Sequence, residues 1–313
     1  MISNKVINEA AFRIKDRIHH TPIFTSQYLN KLSGVSLHFK CENFQKTGSF
    51  KARGALNSVW QLSDKQKAAG VATHSSGNHG QALAWAAQQQ NIKAFIVMPE
   101  NAPAVKVEAV KGYGATVVFC ESTLQGREQA LAEVQQKTGA IFIPPYNFEN
   151  TIAGQATCAL EVFKELPMID TLLCPVGGGG LLAGSALSAH FSAKQLEVWG
   201  CEPELASDAH ASFKTGELQA AMPPITVADG LRTSLGPINF GYIKQFARGI
   251  LLCSEEEIKA AQQLIWQRLK IVVEPSSAVP LACILKNPQH FKGKEVAVII
   301  TGGNVDFRTE TGG

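Results

Sequence analysis

Four stretches of this 313-residue chain crowd polar or reactive side chains among glycines. In Phe44–Gly54, FQKTGSFKARG, Lys51 follows a Thr-Gly-Ser turn and stands between Gly48 and Gly54. A helix over roughly 49–62 would bury Ala52, Ala55, Leu56, Val59 and Trp60, with Lys51 about 100° from the centre of that stripe. An edge lysine usually extends to solvent as a plain charge. Held partly out of water, its amine pKa falls and it becomes a nucleophile or a base. The flanking glycines leave room for something to approach the chain.

His74–Leu83, HSSGNHGQAL, places two hydroxyls, an amide and an imidazole at a strand-to-helix turn. Small side chains leave backbone N–H groups open there, which suits a carboxylate. A capped helix start, with Ser76 or Asn78 as the cap, accounts for the same residues. PVGGGGLLAG puts Gly177, Gly178, Gly179 and Gly180 between a strand and a helix, an anion site of the kind that takes phosphate. Gly178-x-Gly180-x-x-Ala183 also fits the dinucleotide pattern, with Glu202 as the acid about 20 residues on. In Ile300–Asp306, ITGGNVD, Thr301 is a small hydroxyl residue at a strand end, which a simple turn would also explain. G-x-S-x-G and G-x-x-x-x-G-K-[ST] are absent, so neither a nucleophile elbow nor a P-loop is indicated.

Such loops act together only if the fold gathers them. Short strand-like runs, most of them β-branched (LHFKCEN, GVATHSS, AFIVMP, TVVFC, AIFIPP, TLLCPV, LEVWGCEP, EVAVIITGG), alternate with helical segments such as GNHGQALAWAAQQ, LQGREQALAEVQQKTG and TIAGQATCALEVFKEL. That alternation predicts βαβ units and parallel sheets, whose ligands lie beyond the carboxyl ends of the strands. The three loops after strands stand at such ends. Ala221–Pro237 is the longest irregular stretch and is read as a pocket-lining loop.

The length suggests two domains, at ~100–200 residues each. Composition is that of a globular chain, 45% hydrophobic and 18% charged, with a net charge of +3 and no basic block of the nucleic-acid or membrane-surface kind. Seven cysteines, widely spaced and without C-x-x-C, fit a reducing compartment better than disulfides or zinc. No apolar run reaches the ~18 residues of a membrane span, and the first 20 residues hold no signal-type apolar core. A cytoplasmic protein without nucleic-acid or membrane partners is expected.

Taken in order, KTGSFKARGA, SSGNHGQAL, PVGGGG and TGGNVD resemble the fold-type II pyridoxal-phosphate enzymes of the serine racemase and serine/threonine dehydratase group, from about Thr21 to Asp306. The resemblance implies two parallel-sheet α/β domains with cofactor in the cleft, a small one at 73–147 and a large one at 1–72 plus 148–313. It implies a homodimer. It assigns Lys51 as the lysine that carries pyridoxal 5'-phosphate, Phe50 as the residue against its ring, and Asn78 as the partner of its phenolic oxygen. Gly177, Gly178, Gly179 and Gly180 become the phosphate cup, and Thr301 the partner of the pyridine nitrogen. Ser75, Ser76, Asn78 and His79 become the grip on an amino-acid substrate's carboxylate, with Lys51 as base at Cα. A hydroxyl rather than a carboxylate at the pyridine nitrogen weakens the electron sink, so that loss of a β-leaving group competes.

The implied activity is dehydration of serine or threonine to a 2-oxo acid and ammonia, with racemisation beside it; serine racemisation as the main activity is the alternative. Ser76 resembles the opposite-face acid of serine racemases, where many threonine dehydratases have alanine, and Arg127 falls where serine racemases have an arginine. Dehydratases of L-threo-3-hydroxyaspartate share SSGNH, and Arg232 would then read a side-chain carboxylate, or merely anchor its loop. GCEPELASDA resembles a divalent-cation loop for magnesium, calcium or manganese, formed by Glu202, Asp208 and the carbonyl of Ala206, unless these are exposed loop acids. The rivals from other classes are a nicotinamide oxidoreductase using Gly178–Ala183 and a binding protein that has lost catalysis.

Overall fold

The computed structural model describes residues 1–305 apart from Met222 and Pro224. Asp306, the end of the TGGNVD motif, lies outside the described residues. In chain order the strands are β1 (Ile23–Phe24), β2 (Ser36–Cys41), β3 (Val71–His74), β4 (Ala94–Pro99), β5 (Thr116–Cys120), β6 (Ile141–Phe142), β7 (Thr171–Pro175), β8 (Glu197–Pro203), β9 (Gly249–Cys253) and β10 (Glu295–Ile300). The helices are α1 (Asn4–Ile14), α2 (Gln27–Ser33), α3 (Lys51–Trp60), α4 (Asp64–Ala69), α5 (Asn78–Gln88), α6 (Ala104–Gly112), α7 (Leu124–Thr138), α8 (Glu149–Glu165), α9 (Gly180–His190), α10 (Asp208–Thr215), α11 (Pro237–Phe246), α12 (Glu255–Leu269) and α13 (Pro275–Lys286). Among the described residues no helix is long and apolar enough to cross a membrane.

Two sheets result, as the alternation of elements predicts. The larger has the order β1-β2-β10-β7-β8-β9 and is parallel except for the β1–β2 pair. The smaller has the order β5-β4-β3-β6 and is parallel throughout. Neighbours β10 and β7 bring the loops after Ile300 and Pro175 side by side. Each sheet buries apolar side chains on both faces, as a helix-covered parallel sheet must. Ile152, Leu182 and Ile299 lie in one core of the large sheet, and Leu37, Ile265 and Val298 in the other. Leu83, Ile96 and Leu56 share a core on the small sheet.

Two segments depart from the sequence reading. AIFIPP pairs only at Ile141–Phe142, since Pro144 and Pro145 have no N–H to give a ladder. EPSSAVPLACILK becomes α13, with Pro275 in its first turn and Pro280 inside. It is buried from Pro275 to Ile284, so no polar stripe marks it as a helix.

Helix α3 sits between the two halves. Ala52, Ala55, Leu56 and Val59 join the core of the small sheet. Its other side crosses α8 closely: a Cβ on Gly154 would lie 2.6 Å from Gly54 Cα. Gly54 therefore admits α8 rather than a ligand. At Gly48, held at φ +69°, the space is taken by the side chain of Asn304. A further tie between the halves is the Lys106–Asp229 ion pair at 2.8 Å, from α6 to the irregular stretch before α11.

Beneath α3 lies a buried ionic cluster. The Arg53 guanidinium meets both oxygens of Glu42 at 2.7 Å, both residues being fully buried. It also bonds Glu161 at 2.7 and 2.9 Å. Lys40, buried too, reaches Glu161 and Glu165 at 2.9 and 3.0 Å. The bidentate geometry offsets the cost of desolvation. His20 completes an acidic group with Glu161 and Glu165 that has the spacing for a metal, but two cations already neutralise these acids. All seven cysteines are buried and unpaired as free thiols.

Removing one member of this cluster strands a buried charge. Arg53→Met should therefore lower the unfolding free energy by about 3–5 kcal/mol, read by denaturant titration. Adding Glu42→Leu to it should recover part of that loss.

Candidate active site

Lys51 opens α3, and its Nζ donates to the carbonyl of Pro145 at 2.8 Å. The amine lies 5.1 Å from the ring centroid of Phe50 and 6.0 Å from that of Tyr146. Burial lowers its pKa to about 8, against the opposing pull of the Glu274 carboxylate. An ordinary lysine near 10.4 is almost wholly protonated at neutral pH; this one exposes roughly a tenth as free amine at pH 7. Its segment is tied to the end of β10: Phe50 N donates to Thr301 O, and Gly303 N to Gly48 O, both at 3.0 Å. Thr47 and Gly48 both take the left-handed region, at φ +60° and +69°, to make that contact.

The four glycines follow β7. No side chain caps α9, whose N-cap, Gly179, has φ +87°. The first-turn N–H groups are thus open to an anion. A Cβ at Gly178 would overlap the ring of Tyr146, and one at Gly179 would come within 2.6 Å of Leu235 Cδ1. A Cβ at Gly177 would lie 3.0 Å from both Leu231 and Thr233. Packing against Tyr146, Leu231, Thr233 and Leu235 thus demands glycine at these positions, and the polar donors of the loop are its backbone N–H groups.

Helix α5 starts in the same way, with no side-chain cap at Gly77. The capping role considered for Ser76 or Asn78 is not taken up: Ser75 Oγ accepts from Gly77 N at 3.3 Å, and Asn78 is engaged elsewhere. Asn78 Nδ2 donates to both oxygens of Glu274, at 2.9 and 3.0 Å, and Asn78 Oδ1 accepts from Asn304 Nδ2 at 2.8 Å. Ser76 is half-buried and makes no hydrogen bond to a described residue through its hydroxyl. The imidazole of His79 faces inward instead. Its Nε2 meets the carbonyl of Ile143 at 2.9 Å and so carries the proton. Burial, then the nearby Lys51, pushes its pKa down to about 3, which keeps it neutral. Any grip on a carboxylate by His79 falls to its backbone N–H.

Thr301, buried after β10, lies 3.0 Å from the hydroxyl of Ser277, which also donates to Gly302 O at 2.8 Å. When Ser277 turns its proton to Thr301, the Thr301 proton is free for an acceptor in the site. Arg127, on α7, makes no ion pair among the described residues, and its Nε is buried without a partner. With burial, its charge helps lower the pKa of His74 at the end of β3. Arg232 takes the loop-anchoring role: its Nε donates to Thr226 O at 2.8 Å while the residue itself is exposed.

Lys51, Phe50, Asn78, Thr301 and the glycine cup are thus linked through direct contacts or one shared neighbour. A family model described as pyridoxal-phosphate dependent enzyme matches residues 14–302. The chain belongs to that family. It is 49% identical over 295 residues to a beta-hydroxyaspartate dehydratase of Paracoccus denitrificans, covering 94% of each chain. It superposes on the crystal structure of serine racemase from Dictyostelium discoideum with a TM-score of 0.92 at 45% identity, over 97% of this chain and 99% of that one. The processed form of threonine deaminase isoform 2 from Solanum lycopersicum gives a TM-score of 0.91 at 30% identity, over 99% of this chain and 92% of that one. Lyases and racemases that depend on pyridoxal phosphate are its relatives, and the nicotinamide reading of Gly178–Ala183 gains nothing from them.

The residues present fit pyridoxal phosphate. They offer a half-buried amine of lowered pKa, an uncapped helix start lined by glycines, and a neutral hydroxyl pair rather than an acid at Thr301. The supporting partners Glu274, Ser277 and Tyr146 are not singled out by the sequence, and Asn304 stands in the TGGNVD motif with no role assigned to it. Glu274 and Ser277 lie in a helix start without periodicity, and Tyr146 in a loop, so only spatial proximity reveals them.

The acids of GCEPELASDA are buried, not exposed: Glu202 is 1% and Asp208 5% accessible. Glu202 accepts from Ala209 N and His210 N at 3.1 and 2.8 Å, and Asp208 from Leu235 N at 2.9 Å. Burial, with repulsion from Asp208, pushes the Glu202 carboxyl up to about 8. No basic side chain pairs with either acid among the described residues.

A lysine with lowered pKa gains free amine as pH rises through about 8. Uptake of pyridoxal phosphate by apoprotein, followed by absorbance, should accelerate across that range and level off above it. A rise that continues unabated past pH ~9, as an ordinary lysine would give, would contradict the lowered pKa.

Proposed function

We propose that this chain is an ammonia-lyase for 3-hydroxy amino acids, converting serine or threonine to a 2-oxo acid and ammonia, with racemisation as a second activity. The observation that carries the reading is the Thr301–Ser277 hydroxyl pair, 3.0 Å apart, where an acid would favour a fully protonated ring. Pyridoxal phosphate, when bound, supplies an aldehyde for the substrate amine and a conjugated ring that delocalises electrons from Cα. Gly177 to Gly180 and the start of α9 would hold its phosphate, with Phe50 against the ring and Asn78 beside the phenolic oxygen.

The open N–H groups at the start of α5 bind the substrate carboxylate, with Ser75 and Ser76 at the turn. Lys51, released as a free amine, takes the Cα proton. The bond from Cβ to the hydroxyl then breaks, and the hydroxyl leaves as water after taking up a proton. Hydrolysis of the released unsaturated amine gives the 2-oxo acid and ammonia. For racemisation, Ser76 delivers a proton to Cα from the face opposite Lys51.

A second reading has its own observation. Arg127 presents a guanidinium with no acidic partner among the described residues. An unpaired cation beside the substrate turn suits a side-chain carboxylate, and hence 3-hydroxyaspartate. The substrate dehydrated by the Paracoccus relative, as its name states, has that carboxylate.

We further propose that Glu202, Asp208 and the carbonyl of Ala206 hold a magnesium, calcium or manganese ion, since two neighbouring buried acids without a basic partner would both ionise only beside a cation. We take the working form to be a cytoplasmic homodimer with its small domain at 73–147. The seven free thiols agree with a reducing compartment.

L- and D-serine, threonine and 3-hydroxyaspartate, assayed for 2-oxo acid and for enantiomer, test the reading. Ser76→Ala should abolish racemisation and D-substrate turnover while L-dehydration persists; equal loss of both would remove Ser76 from the opposite face. Arg127→Gln should raise KM for 3-hydroxyaspartate by roughly tenfold or more and leave that for serine nearly unchanged. Chelation should lower Tm by a few °C, about 1 kcal/mol or more of linkage, with recovery on adding calcium or magnesium.

A further inference from the structure

Glu274 is a buried carboxylate that the mechanism above does not use. It stands at the N-cap of α13, is 4% accessible, and forms no ion pair among the described residues. Its backbone N–H donates to Gly302 O at 3.0 Å, and a Cβ on Gly302 would come within 2.9 Å of its Oε1. The glycine after Thr301 is therefore what admits this carboxylate to the site.

Both Glu274 oxygens receive Asn78 Nδ2, and Asn304 Nδ2 donates to Asn78 Oδ1 and to Thr47 O, each at 2.8 Å. These contacts fix the Asn78 amide in one orientation. A flipped amide would set its carbonyl against a carboxylate and its NH₂ against that of Asn304. One Nδ2 hydrogen points between the Glu274 oxygens, and the second remains free. A neutral acceptor would suffice to hold Asn78, at less cost than a buried charge without a cation. The charge itself thus calls for a role.

We propose that Glu274 is a positioning residue that acts through Asn78, aiming the amide's free N–H at the cofactor's phenolic oxygen and making that hydrogen bond depend on its own ionisation. The inference rests on the site being a pyridoxal-phosphate site, as the proposed function does. Among the described residues three other charges face Glu274: Asp229 from the turn before α11, Lys106 from α6, and Lys51 from α3. Lys106 is paired with Asp229 at 2.8 Å, so it neutralises the acid that repels Glu274. Burial first, then Asp229, brings the Glu274 carboxyl up to about 7, opposed by the bond from Asn78. Above that pH the carboxylate grips Nδ2 fully; below it a neutral carboxyl accepts more weakly.

The test uses the holoenzyme without substrate, with cofactor absorbance followed against pH and cofactor affinity measured by fluorescence titration. The wild type should show a one-proton spectral transition with a midpoint near 7. Glu274→Gln should lose that transition and keep its affinity within about twofold, because its carbonyl still accepts from Nδ2. Glu274→Ala should lose the transition and bind pyridoxal phosphate about tenfold more weakly. Persistence of the transition in Glu274→Gln, or wild-type affinity in Glu274→Ala, overturns the proposal. If Glu274→Ala does not fold, Asn304→Ala replaces it: release of the other end of the amide should shift the cofactor spectrum, and an unchanged spectrum overturns the proposal. Formation of 2-oxo acid is scored separately. A transition that needs Glu274 in an enzyme making no 2-oxo acid sinks the lyase reading alone, and 2-oxo acid formation with the transition intact in Glu274→Gln sinks this one alone.

Discussion

The bidentate pair of Arg53 and Glu42 holds the first turn of α3, and the amine of Lys51 projects from that turn two residues earlier. A long flexible side chain brings a reactive atom to a fixed point only if its backbone does not move. Here the backbone is fixed from below by buried charges and from the side by the close crossing at Gly54 and Gly154. From above, the ties of Phe50 and Gly48 to the end of β10 complete the hold. The same cluster joins β2, α3 and α8, so the anchoring of the lysine and the assembly of the large sheet are one construction.

Charge is distributed unevenly around that point. The Thr301 end is neutral, built from two hydroxyls, whereas the Asn78 end carries Glu274. An acid at the first place would drive a ring nitrogen towards its protonated form; at the second it acts only through an intervening amide. His79 stays neutral beside Lys51 because burial and the lysine both oppose its protonation. The site therefore concentrates its changeable charge in Lys51 and Glu274.

Three of the four chemistry-bearing loops were legible in the sequence because each follows a β-branched run and contains residues rare in ordinary turns. The parallel sheets were legible for the same reason: period and length separate strands from helices there. Residue environments were less so. Gly48 and Gly54 look like room for a ligand, but Asn304 and α8 fill it. His79 looks like a carboxylate grip, yet its ring bonds a carbonyl in the core. Helix α13 is buried almost along its length and so has no stripe to read. Glu274 stands in that helix's cap, 196 residues from Asn78, and no local pattern connects the two.

The buried thiols have a use of their own. Cys158 and Cys174 belong to one core of the large sheet, Cys41, Cys201, Cys253 and Cys283 to the other, and Cys120 to the outer face of the small sheet. A thiol reagent reaches the other six only when the layer around them opens, whereas Cys120, 8% accessible at the end of the edge strand β5, stands nearest the surface. The chain thus carries its own set of clocks, and the order in which they are labelled would rank its layers by local stability without any added probe.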